Sequence, residues 1–344
     1  MVFPTLQFVL FFALVLALDA AAGGRAQLRK AMLIAASYAF YAAWDARFLL
    51  LMAFVTAVAW GAGLALHHPR HGRRAKLVAI VLLIGTLAVF KYFNFFLLSL
   101  QQLLGEWGLA RDWGWMRLIL PVGISFYVFQ AVSYVMDVAR GQILPRRSPA
   151  DVALYISFFP QLVAGPIVRA ADFLPQIDRP LPVDAAMRAE AVALILAGLF
   201  KKMVVANYLA VGLVDPAFAF PGAQSGLTMA AAVLAYAVQI YCDFSGYSDI
   251  AIGLALLLGY RFARNFDQPY RATSLRGFWR RWHISLSSWI RDYLYIPLGG
   301  SRGGPLRQGA VLMATMTLAG LWHGAGWNFL IWGAAHGAGL WAER

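Results

Sequence analysis

Apolar residues run along this chain in long blocks separated by short basic loops, and the block lengths set the first expectations. Residues 3–18 (FPTLQFVLFFALVLAL) carry no charge and form the first span. Residues 31–66 are too long for one helix and break at WDARF, which predicts a hairpin of two helices. The run 77–104, the segment 118–138 and residues 189–214 predict further spans, the last with Lys201 and Lys202 near its middle. The run 227–259 is interrupted by the polar block YCDFSGYSD. Residues 152–176 contain three prolines and a glycine. Backbone groups freed at such breaks cannot face lipid, so a re-entrant element buried in protein or lining a cavity is expected there.

The loops order the spans. GGRAQLRK holds Arg25, Arg29 and Lys30 with no acid, and HHPRHGRRAK holds Arg70, Arg73, Arg74 and Lys76. In the loop 105–117, Glu106 and Asp112 cancel Arg111 and Arg117, and the loop 140–151 is basic again. Counting the hairpin as two crossings, this alternation puts the basic loops in the cytoplasm and the N-terminus outside. No basic segment precedes the first apolar run, so a cleaved signal peptide is not expected. Residues 261–307 differ in kind, with nine arginines against Asp267 and Asp292. Interleaved with Trp279, Trp282, Trp289, Tyr293 and Tyr295, they predict helices lying at or dipping through the cytoplasmic interface.

Composition agrees with this pattern. Hydrophobic residues make up 61% of the 344 and charged residues 13%, against about 45–50% and about 25% in soluble domains. The chain therefore reads as an all-α polytopic membrane protein, a single transmembrane domain over 1–344 with roughly nine to eleven embedded helices at about 20 residues each. The net charge of +13 lies in loops between apolar runs and no aromatic-basic nucleic-acid module accompanies it. It is read as topology information and attraction for anionic lipid or an anionic cytosolic ligand, with no nucleic acid as partner. The single Cys242 excludes an internal disulfide framework and a cysteine zinc cluster.

Ionisable groups inside the apolar blocks are costly and point to function or to helix–helix hydrogen bonds. His323 stands in GLWHGAGW, where Gly320, Gly324 and Gly326 clear space and Trp322 and Trp327 offer walls. Burial there would keep its imidazole neutral and able to accept a proton, a candidate base. His336, thirteen residues on, falls on another face of a straight helix unless the glycines break it, and is assigned a supporting role. His283 follows two arginines in FWRRWHISLSSW, an interfacial, polar setting that suits an approaching cytosolic anion or thioester. Asp243, in QIYCDFSGYSDIAIG, and Gln130 and Asp137, in VFQAVSYVMDVARG, fix helices together or orient an imidazole. No soluble-type serine triad is present. His67, His68 and His71 read as a basic solvated loop, and no metal site is expected.

Five blocks carry a resemblance: PVGISFYVFQAVSYVMDVARG, FFPQLVAGPIVR, QIYCDFSGYSDIAIG, RNFDQPYRATSLRGFWRRWHISLSSWIRDYLYIPLGG and LWHGAGWNFLIWGAAHG. In this order they make the chain resemble the membrane-bound O-acyltransferases over nearly its whole length, in the branch of alginate O-acetyltransferase and the D-alanine transfer protein. The resemblance implies a ring-like helical bundle with re-entrant elements and a central tunnel. It places the family's hallmark histidine on His323 and its second histidine on His283. It implies an acyl thioester, acetyl-coenzyme A or an acyl-carrier thioester, as donor substrate, with no bound cofactor. Arg280 and Arg281 are the candidate donor-binding residues, since guanidinium suits phosphate. The implied activity is transfer of an acyl group, acetyl first, across the bacterial inner membrane for O-acetylation of an exported polysaccharide such as alginate, through a periplasmic acetyltransferase partner. Family members of this branch run longer, so the chain is expected to stop short at its C-terminus. The rival readings are a proton-coupled transporter, which should show matching interrupted segments in two halves and does not, and a non-catalytic scaffold of an export complex.

Overall fold

The computed structural model describes residues 3–66, 72–109 and 117–344, and among these it is all-helical, with no strand. The chain is a membrane protein. Helix α1 (Leu6–Ala21) starts at Thr5, whose hydroxyl accepts from the Phe8 N–H at 3.3 Å and so satisfies one of the donors a helix start leaves open. The predicted break is present: α2 (Ala26–Asp45) and α3 (Leu49–Leu66) are joined by a 3₁₀ turn, Ala46–Phe48, inside WDARF. Asp45 caps that turn by accepting from the Arg47 N–H at 3.0 Å. Helix α4 (Gly72–Glu106) runs 35 residues without a break. Helix α5 (Ile124–Ala139) begins later than the apolar pattern predicts, because Pro121 precedes it and Gly123 opens it in the left-handed region at φ 74°.

The proline-rich stretch is broken as expected, into α6 (Pro149–Ser157), α7 (Phe159–Leu162) and α8 (Ala170–Asp178). Almost every residue between 151 and 168 is buried, so the interrupted backbone lies in protein. The span predicted over 189–214 departs from a plain α-helix. Helix α9 (Ala185–Leu199) widens into a π turn (Phe200–Ala206), passes through α10 (Asn207–Leu209) and a second π turn (Ala210–Val214), and ends in α11 (Asp215–Ala219). Lys201 and Lys202 occupy the first π turn and pair with Asp249 and Asp243. Those carboxylates belong to α12 (Gly226–Leu257), which continues as one helix through the polar block that interrupts its apolar run. The polar block is a set of lysine partners and not a break.

Past α12 the basic region forms short pieces, α13 (Leu275–Trp279), α14 (Ile284–Ile290) and a π turn (Arg291–Tyr295). Helices α15 (Pro305–His323) and α16 (Trp327–Ala342) follow. By length and composition, Ala26–Leu66, Gly72–Glu106 and Gly226–Leu257 are able to cross a membrane. The histidines at 67, 68 and 71 lie outside the described residues, and among the described residues no group of three or more His, Cys, Asp or Glu is placed to hold a metal ion.

The chain divides into two compact units. The first comprises Met1–Leu49, Ser157–Val168 and Asp172–Phe266. Its interior includes Phe8, Phe12, Phe40 and Phe159, packed ring on ring. The second comprises Leu50–Ile156, Arg169–Ala171 and Asp267–Arg344. Between α15 and α16 the helices meet through small residues: a Cβ on Gly320 would strike the Phe329 carbonyl, and one on Gly333 the Met316 carbonyl. Lipid gives no water-driven force for helices to associate, so such close backbone approach supplies the contact instead.

Candidate active site

All three histidines of interest fall in the second unit, and its local folding brings their rings together. Helix α15 ends at His323 because Gly324 and Gly326 take extended conformations, and α16 folds back along it. The straight-helix argument that separates His323 from His336 therefore fails at the glycine break. Trp332, one turn before His336, sits between them, with ring centroids 5.1 Å from His323 and 4.5 Å from His336. On the other side, Trp322 lies 5.0 Å from His323 and 5.9 Å from His283. Trp279 meets His336 at 5.4 Å. The result is an alternating file of rings: His283, Trp322, His323, Trp332, His336, Trp279. Phe129 of α5 supports it, stacked 3.9 Å from Trp289 and 5.8 Å from Trp322.

One environment reverses the expectation from sequence. His283, predicted interfacial, is fully buried at 0% exposure, and its Nδ1 lies 3.4 Å from the Ser285 hydroxyl. It caps α14 with a left-handed backbone, φ 43°, one of two non-glycine residues so placed among the described residues. That conformation costs roughly 1–2 kcal/mol, and strain of this kind concentrates at functional positions. His323 has part of its surface uncovered by protein, while protein packed around its ring still desolvates it. It is the last residue of its helix, directly before the residues 324–326 that separate α15 from α16. Protein encloses His283 completely and leaves His323 partly uncovered.

A cavity of about 380 Å³ opens at the Trp279 end of the file. Arg276, Arg280, Arg291 and Arg344 line it, with Ser287 and Trp279. Four guanidiniums around one space suit a polyanion, and Trp279 joins that space to the imidazoles. Arg281 does not line it. Its guanidinium braces its own loop, 3.6 Å from the Asp267 carboxylate and 3.3 Å from the Asp267 carbonyl oxygen. Beside the cavity Asp292 pairs with Arg169 and Arg291, each at 2.6 Å. Partial burial pushes the Asp292 carboxyl up, but the two guanidiniums outweigh it and hold the group below the usual carboxylate range.

The supporting residues divide. Trp322 stands inside the file, between His283 and His323. Asp137 is buried and accepts the Tyr293 hydroxyl at 2.5 Å, tying α5 to the π turn after α14. Gln130 is buried, and its side-chain amide has no hydrogen-bond partner among the described residues. Asp243 belongs to the first unit and is engaged by Lys202, so an ion pair accounts for it. One residue escaped the sequence reading: Lys91, in the middle of α4. Its ammonium donates to the Trp322 carbonyl and to the Ser125 hydroxyl at 3.3 Å, and lies 5.2 Å from the Trp322 ring centroid. A lone lysine inside the run 77–104 was the available signal.

The file thus sets two imidazoles among indole rings, with an arginine-lined space at one end. Residues 144–344 match the family model of MBOAT, the membrane-bound O-acyltransferase family. With relatives 43% identical along its full length, the chain belongs to that family. It is 43% identical over 324 residues to the probable alginate O-acetylase AlgI of Azotobacter vinelandii, covering 93% of this chain and 64% of that protein. It is 43% identical over 350 residues to the probable alginate O-acetylase AlgI of Pseudomonas aeruginosa, covering 100% and 66%. It is 35% identical over 347 residues to the peptidoglycan O-acetyltransferase of Helicobacter pylori, covering 92% and 64%. The chain thus spans just under two thirds of the length of these relatives.

Proposed function

We propose that this chain carries the acyl-transfer core of a membrane O-acyltransferase, moving an acyl group, acetyl first, from a cytosolic thioester toward a hydroxyl of an exported polysaccharide. The observation that carries this reading is the ring file itself, with a partly uncovered His323 between two indoles and an arginine-lined space at one end. The relatives' names, alginate O-acetylase and peptidoglycan O-acetyltransferase, supply the acetyl group and the polymer class. Acetyl-coenzyme A, whose phosphates suit Arg276, Arg280 and Arg291, is the donor we favour.

In this mechanism His323 accepts the proton of the acceptor hydroxyl as its oxygen attacks the thioester carbonyl. The C–O bond forms, the C–S bond breaks, and the imidazolium returns the proton to the departing thiolate sulfur. His283, enclosed behind Trp322, would serve as the second imidazole of the reaction, and His336 would support His323 through Trp332. The acceptor at this site is a periplasmic acetyltransferase partner or the polysaccharide, in the bacterial inner membrane, with the basic loops in the cytoplasm and the N-terminus outside. The test supplies labelled acetyl-coenzyme A and acceptor to the purified protein in lipid nanodiscs. Label transfer falling by about 100-fold or more in His323→Ala supports the reading, and transfer unchanged in that variant overturns it.

A further inference from the structure

The last turn of α15 presents both Trp322 and His323, and a helix end leaves its final carbonyls without partners. Here three of them are satisfied from distinct sources. Gly320 accepts the Gly324 N–H at 3.4 Å. Leu321 accepts the Tyr92 hydroxyl at 2.8 Å. Trp322 accepts the Lys91 ammonium. Two consecutive residues of α4 thus grip two consecutive carbonyls of α15, next to the imidazole that the site uses. The ammonium also stands at the negative end of the α15 dipole and over the face of the Trp322 ring.

We propose that Lys91, backed by Tyr92, is a positioning residue: the pair clamps the terminal turn of α15 and fixes the direction in which His323 leaves the helix break. The function of that direction rests on the acyl-transfer reading above. A lysine at the middle of a span costs roughly 2.5–3.5 kcal/mol on insertion scales, so its retention in α4 calls for a role. The contacts name one. Lys91 is half-buried, and of its three donors one reaches Trp322, one reaches Ser125 and neither reaches an acid. The helix end and the cation are therefore mutual partners. Losing the ammonium would leave the Trp322 carbonyl open and free the turn that carries both rings.

Three variants of the full chain in nanodiscs test this: Lys91→Met, Lys91→Arg and Tyr92→Phe. Misplacing a catalytic group by about 1 Å costs up to about 100-fold, so Lys91→Met is expected to lower kcat by about tenfold or more. The donor KM should hold within about twofold, because the arginine-lined cavity is untouched. Lys91→Arg, which keeps a charged donor, should restore kcat to within about threefold of the parent, and Tyr92→Phe should fall between. A second readout needs no acyl transfer: carbethoxylation of His323 by diethylpyrocarbonate, followed by peptide mass spectrometry, should change rate in Lys91→Met and revert in Lys91→Arg. A Lys91→Met protein that keeps both its kcat and its His323 carbethoxylation rate refutes the clamp, as does one that Lys91→Arg cannot rescue in either readout. Should His323→Ala transfer label normally, the acyl-transfer reading falls while the carbethoxylation result still judges the clamp. If Lys91→Met does not fold, Tyr92→Phe with an unchanged carbethoxylation rate and kcat refutes it.

Discussion

His323 and Trp332 meet edge to face, their ring centroids 5.1 Å apart and their planes at 78°. One residue ends α15 and the other lies on the returning helix, so the contact exists only because the glycine break turns the chain around. Edge-to-face ring pairs contribute about 0.5–1.5 kcal/mol each. Trp332 makes such contacts with His323 and packs on His336, so Trp332→Ala should lower kcat by about tenfold, and Trp332→Phe by clearly less. Steady-state acetyl transfer with both variants checks this. Equal rates for Trp332→Ala and the parent would remove the indole wall from the site.

The α15–α16 contact tolerates no side chain at its centre. A Cβ on Gly333 would collide with the Met316 carbonyl, whereas one on Gly85 of α4 has nothing within 4 Å. Gly333→Ala should therefore cost about 1–3 kcal/mol through overpacking, and should also displace His323 and lower transfer. Gly85→Ala should be neutral or stabilising by up to about 1 kcal/mol, since alanine is the better helix former. Thermal unfolding of the two detergent-solubilised variants separates them.

Arg280 and Arg281 are neighbours in sequence but not in role. Arg280 lines the arginine-rich cavity, and Arg281 braces Asp267. A lost hydrogen bond to a charged group costs about 1.5–3 kcal/mol, so Arg280→Ala should raise the donor KM by about 10- to 100-fold. Arg281→Ala should leave that KM within about threefold and show mainly in stability, modestly, because its ion pair is largely solvated. A Michaelis analysis in varied acetyl-coenzyme A, run beside a melting curve, reads both.

Asp292 gives the second unit a pH-dependent brace. Its carboxyl is held below the usual range despite partial burial, because Arg291 and Arg169 favour the charged form. A depressed folded value means that the stabilisation is complete above the unfolded carboxylate pKa near 3.8 and is lost as pH falls through the lower folded value. The parent protein should thus lose more of its melting temperature than Asp292→Asn does as the pH drops from about 5 to about 3. Parallel melting curves for the two proteins would show the brace to be irrelevant.

Much of the architecture was legible because its causes are local. WDARF announced the break between α2 and α3, since a charged pair and an Asp cap interrupt an apolar helix. The prolines of 152–176 announced interrupted helices, since each removes a backbone donor. The glycines around His323 marked a weak point in 315–340. Where local reading failed, a partner on another helix was the reason. The polar block in α12 looked like an interruption until the lysines of the π turn were placed opposite it. Of the two roles open to Asp243, joining helices or orienting an imidazole, its ion pair with Lys202 fits the first. The role of Lys91 is not legible in sequence, because its partners are a backbone carbonyl and a serine hydroxyl on other helices, which no residue pattern reveals.

The order of apolar blocks, prolines and basic loops by itself determined that this chain is helical and lies in a membrane, because spans, breaks and charge asymmetry depend on neighbouring residues alone. The same order contained the three histidines but not their arrangement. That His283 is enclosed, that His323 is partly uncovered, and that Trp322 and Trp332 bracket the latter were decided by how α15 folds back on α16 against α4 and α5. Contacts such as His283 with Trp322, 39 positions apart, and Lys91 with Trp322 depend on helix ends and small-residue packing in three dimensions, and only the tertiary structure fixes those.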